Sequence, residues 1–179
     1  MAMTRRRTHQ GGFTLIEVMV VVALIAVLAT VALPAFIGTT RKAKGDAEVS
    51  PMFSDLRTRM DQYIQENGIY PTSIGEATTW PVTPTTTQQA INPLPPEWTP
   101  IKVRISGASQ VYCGYTWVTG LASDSSAIGA QGTLFGFTAP TVNWYYLLAH
   151  CDFDGDPAVD SYYFTSSVDP TILKLNEGY

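Results

Sequence analysis

Glu17 stands at the edge of a long apolar run, and from Val18 to Thr40 there follow 23 residues without an ionisable side chain. A carboxylate is costly in hydrocarbon and is kept there where it acts, by finding a counter-charge. The chemistry it offers is ion pairing, not turnover. A second acidic group, Asp152, Asp154, Asp156 and Asp160, puts carboxylates at positions 1, 3, 5 and 9 of one loop. That spacing resembles the oxygen ligands of calcium loops. Pro157 stands at the sixth position, where Gly makes the turn, and Tyr163 at the twelfth, where Glu gives two oxygens, so an EF-hand does not fit. A looser calcium loop and a solvated acidic turn both remain. His150 lies beside Cys151, but no nucleophile elbow accompanies it, and His150, Cys113 and Cys151 match no usual zinc spacing. The chain is not expected to be an enzyme.

The elements that position these groups follow from patterning. Residues 1–12 are short and polar with Arg5-Arg6-Arg7, and the apolar run exceeds the roughly 20 residues a helix needs to cross a bilayer. The arginines hold the N-terminus in the cytoplasm, so the chain beyond residue 40 lies outside. An ordinary secretory signal ending at Val27-Leu28-Ala29 is the alternative; the apolar segment runs past Ala29 without a break, and Glu17 is anomalous in such a signal. For an exported domain with two cysteines, a Cys113–Cys151 disulfide is the default, worth about 2–4 kcal/mol.

Val49, Phe53, Leu56, Met60, Tyr63 and Ile64 recur at spacings of three and four, which predicts an amphipathic helix continuing the apolar one and ending near Asn67-Gly68. A helix over 13–66 is about 80 Å long at 1.5 Å per residue. Pro34 and Pro51 interrupt its hydrogen bonding and predict kinks. The proline- and threonine-rich stretch 71–100 reads as a loop with one short helical turn near 86–91. Strands are expected at 101–105, 110–119, 133–138, 143–151 and 161–165, forming a four- or five-stranded antiparallel sheet packed on the outer half of the helix.

Arg5-Arg6-Arg7, then Gly12, Phe13 and Glu17, then the Val/Ala/Leu/Ile run to Pro34 resemble, position by position, the class III signal of type IV pilins and type II secretion pseudopilins. The resemblance implies an α+β fold: a long N-terminal helix, membrane-spanning and then amphipathic, packed on a C-terminal antiparallel β-sheet head. It divides the chain into a leader (1–12), a helix (13–66, with 13–37 as transmembrane segment and filament core) and a head (67–179). It also implies that a prepilin peptidase cuts between Gly12 and Phe13 and methylates the Phe13 amine, and that Glu17 neutralises the amine of a neighbouring subunit during assembly. The implied partners are other pilin or pseudopilin subunits, the peptidase and an inner-membrane assembly platform. The chain would sit in the bacterial inner membrane, single-pass with its N-terminus inside, and then in a periplasmic or cell-surface pilus.

Three roles fit: a major or minor type IV pilin, a secretion pseudopilin, and a ligand-binding tip subunit presenting Trp98, Trp117, Trp144 and nearby tyrosines to a sugar or protein. A membrane-tethered hydrolase is the rival of another class and needs a pocket converging on His150. No cofactor is required beyond the calcium that Asp152, Asp154, Asp156 and Asp160 would hold. Without residues 1–12, eight Lys and Arg face fifteen Asp and Glu, and from Ser106 onward Lys174 is the only basic side chain. An acidic head of this kind does not predict direct nucleic-acid binding.

Overall fold

A computed structural model describes residues 12–82, 84–103, 109–156 and 158–178. The arginines of the leader, together with Arg104, Ile105 and Pro157, lie outside the described residues. The chain divides into two compact units, one ending at Gly38 and the other running from Thr39 to Tyr179. Helix α1, Leu15–Asn67, begins in the first and ends in the second, and is continuous through both Pro34 and Pro51. Pro51 therefore does not end one helix and begin another.

In the second unit the buried face of α1 comprises Gly45, Val49, Met52, Phe53, Leu56 and Met60. This is the predicted stripe with Gly45 and Met52 added, while Tyr63 and Ile64 are only partly buried. Against it packs a four-stranded antiparallel sheet in the order β3 (Gly114–Gly120), β4 (Trp144–Cys151), β5 (Ser161–Ser166), β6 (Leu173–Leu175). Side chains alternate across a strand. Tyr115, Trp117, Tyr145, Leu147, Ala149 and Tyr163 accordingly join the helix-side core. Val118, Trp144, Tyr146, Leu148 and Phe164 form a second cluster, covered by Ile128, Phe135 and Phe137.

Several local expectations are corrected. The segment 133–138 is not a strand: helix α2, Ala130–Leu134, runs into it, and Gly136 at φ 72° turns the chain so that Phe135 and Phe137 cap the second cluster. Residues 101–103 do alternate, with Ile101 and Val103 buried and Lys102 exposed, but Lys102 sits at φ 48° and no strand forms there. The helical turn expected near 86–91 is instead a two-residue strand, β1 (Gln89–Ala90), paired antiparallel with β2 (Gln110–Val111). The predicted strand 110–119 is split between β2 and β3 at Tyr112-Cys113. Glu48 of α1 takes those two backbone N–H groups at 2.8 and 2.9 Å, so they are lost to a ladder.

The edge of β3 is closed by the connector. Trp80 and Tyr115 exchange two backbone hydrogen bonds of 2.9 Å, Ile74 N–H donates to Trp117, and the Thr116 hydroxyl donates to the Gly75 carbonyl. A covered edge cannot pair with another chain. The last strand is held to α1 by Lys174, whose ammonium lies 2.6 Å from carboxylate oxygens of both Asp46 and Glu177.

Candidate functional site

At the start of α1, Thr14 and Glu17 cap one another. The Glu17 N–H donates to Thr14 Oγ1 at 3.3 Å, and Glu17 Oε2 receives the Thr14 N–H and hydroxyl, each at 3.4 Å. This is the reciprocal pattern of a Thr-x-x-Glu capping box, which satisfies N–H groups that a helix otherwise leaves open. In hydrocarbon those groups have no water to fall back on. From Phe13 to Ile37 the large apolar side chains are all exposed, and the segment is long and apolar enough to cross a membrane. The first unit therefore presents a capped apolar helix with one carboxylate near its end and no core of its own to hide in.

A family model for the prokaryotic N-terminal methylation motif matches residues 7–33. The chain carries this motif. The match coincides with the apolar helix, which by length and composition can cross a membrane. The chain is 37% identical over 79 residues to the type II secretion system core protein G of Dickeya chrysanthemi, covering 42% of this chain and 51% of that protein. It is 36% identical over 69 residues to the core protein G of Vibrio cholerae, covering 38% and 47%. It is 40% identical over 73 residues to the type IV major pilin PilE of Neisseria gonorrhoeae, covering 39% and 43%. The chain thus spans about half the length of the curated relatives it matches. No solved structure matches.

The second unit carries the remaining sequence-derived sites. Cys113 and Cys151 form the expected disulfide, with both residues buried. With both sulfurs bonded to each other, a zinc site with His150 is ruled out. The acidic loop folds on itself. Asp152 Oδ1 accepts from the N–H groups of Asp154 and Gly155, Asp154 Oδ1 from Asp156, and Asp156 Oδ1 from Ala158. Gly155, at φ 78°, makes the bend. Asp154 also faces Arg41 at 3.7 Å, and Asp160 is drawn away to His150 Nε2 at 2.6 Å. Among the described residues, no three of His, Cys, Asp and Glu gather as a metal cluster.

Trp98, Trp117 and Trp144 are 1%, 0% and 0% exposed, so they cannot present a ligand platform. Trp117 and Trp144 instead donate their indole N–H groups to the carbonyls of Thr72 and Asp124.

Two glutamates that sequence reasoning passed over organise the head. Glu48, on α1, takes the Tyr115 hydroxyl at 2.9 Å besides the two N–H groups at the strand break, and burial raises its pKa against the lowering effect of those three bonds. Glu76, in the connector, takes the N–H groups of Gln131 and Gly132 and the Tyr146 hydroxyl at 2.7–2.9 Å. Neither carries a sequence signature: Glu48 is one of several charges at this point of α1 and Glu76 sits in a polar loop, and only the tertiary fold brings their donors.

Proposed function

We propose that the chain is a structural subunit, a type IV pilin or a type II secretion pseudopilin, that works by polymerising through its N-terminal helix. The carrying observation is Glu17. It lies in the methylation motif at the first turn of an exposed apolar helix, and among the described residues its hydrogen-bond partner is the neutral Thr14. Cleavage between Gly12 and Phe13 by a prepilin peptidase would create a positive amine four residues away, and a neighbouring subunit's amine can then satisfy the carboxylate. Two opposite charges desolvated together attract far more strongly than in water. An unpaired Glu17 penalises every register but the right one. The helix rests in the inner membrane with its N-terminus inside until the assembly platform draws it into the polymer.

The similarity to core protein G favours the pseudopilin reading, and the similarity to PilE supports the pilin reading. On this reading the chain works without catalysis, and Asp152, Asp154, Asp156 and Asp160 are its candidate calcium ligands. As the loop stands, Asp160 is held by His150 Nε2 and the other three close turns of their own.

The test is fractionation of cells carrying Gly12→Ala or Glu17→Ala. The first accumulates as an uncut inner-membrane precursor. The second is cut but incorporates poorly beside wild-type subunits. Normal polymer from both variants refutes the assembly reading.

A further inference from the structure

The outer face of the sheet is only half covered. Phe135 and Phe137 close over Trp144, Tyr146 and Phe164. The other half, floored by Thr116, Leu148, His150 and Tyr162, lies open as a cleft of about 450 Å³ between the connector and α2. That is within the usual range for ligand sites of roughly 300–1,000 Å³. His150 and Tyr162 stack face to face, with ring centroids 4.5 Å apart and planes 10° from parallel, and Asp160 is held on the histidine. Glu76 lines the connector side, and the three donors it takes up are all uncharged. Among the described residues, none lining the cleft is Lys or Arg.

We propose that this cleft binds an arginine side chain on a peptide segment of a partner protein. Leu148 with Val82, Pro84 and Ala130 of the wall takes a methylene stem. The outer ring of the His150–Tyr162 stack offers a face to a planar guanidinium, which is weakly hydrated and stacks better than an ammonium. The Glu76 carboxylate on the wall supplies the counter-charge. A guanidinium also brings donors for it and for Gln131 Oε1, a buried acceptor on the same wall with no hydrogen-bond partner among the described residues. Exclusion of anionic partners follows from the same wall.

The test is methyl NMR of the full chain in detergent, titrated with N-acetyl-arginine amide, with its neutral isostere N-acetyl-citrulline amide, and with a methyl glucoside. Saturable shifts at the Leu148 and Thr116 methyls are expected with arginine. Binding is expected to be about tenfold weaker with citrulline, the worth of roughly one charge-assisted contact, and absent with the glucoside. Ala77→Trp, at an exposed wall position, fills the cleft without disturbing the core and abolishes the shifts. Equal binding of citrulline, saturable binding of the glucoside, shifts that survive Ala77→Trp, or no saturable shift with arginine overturns the proposal. Polymer formation by Gly12 and Glu17 variants reads assembly alone, so the two ideas fail separately.

Discussion

Thr14 and Glu17 hold each other at 3.3–3.4 Å across the first turn of α1, so the carboxylate assigned to assembly also caps its own helix. The two roles separate by substitution. Gln at position 17 keeps an acceptor for the Thr14 N–H but carries no charge, whereas Ala loses both, and loss of a cap costs about 1 kcal/mol. Glu17→Gln is expected to keep wild-type helix content by circular dichroism in micelles yet incorporate poorly when co-expressed with wild type. Efficient incorporation of Glu17→Gln would show that the cap, not the charge, matters.

At Gly45 α1 meets β5: a Cβ there would collide with the Tyr163 ring and hydroxyl. The Tyr163 hydroxyl is buried with no hydrogen-bond partner among the described residues. Gly45→Ala is therefore expected to destabilise by about 1–3 kcal/mol, the usual range for overpacking. Tyr163→Phe should be neutral or slightly stabilising, because it removes an unsatisfied polar group. In the double variant, part of the Gly45→Ala cost is relieved, which chemical denaturation of all four proteins measures as a coupling. Strict additivity would contradict the contact.

Glu48 gives a pH dependence with a definite sign. Burial holds its carboxyl above the ordinary value of 4.5 in the folded chain. The folded state then binds the proton more tightly than the unfolded state, so this group's contribution is greatest below pH 4.5 and declines as pH rises through and above it. The difference in melting temperature between wild type and Glu48→Gln is expected to shift steadily against wild type from pH 4 upward, whatever its starting value. A shift in favour of wild type would mean that the three hydrogen bonds to Glu48 outweigh its burial.

The Cys113–Cys151 bridge ties the break between β2 and β3 to the end of β4. Cys113→Ser/Cys151→Ser is expected to lose about 2–4 kcal/mol in denaturation. An unchanged midpoint would mean that Glu48, which holds the Cys113 N–H, pins this corner without help from the bridge.

The helix and the motif were legible because their signals are local. A run without charges, a three–four spacing and Asn67-Gly68 each act through the nearest turn of chain, and α1 ends at Asn67. Strands β4 and β5 were equally plain from their aromatic and apolar runs. The failures lie where a distant partner decides. Residues 133–138 look like a strand, but their aromatics serve as a lid over Tyr146 and Phe164. Residues 110–119 look continuous, but Glu48, more than sixty positions earlier, takes the N–H groups at the break. The tryptophans could not be sorted by sequence into buried and exposed, because which face of the sheet is covered depends on α2. The short strand β6 has only three residues and gave no pattern to read.

The claim that this chain is processed for polymerisation is tested most directly by mass spectrometry of the N-terminal peptide of the native protein. The account predicts that it begins at Phe13 and carries one methyl group on its amine. An intact residue 1–12 segment, or a terminus beyond Ala29 as an ordinary secretory signal would leave, contradicts it.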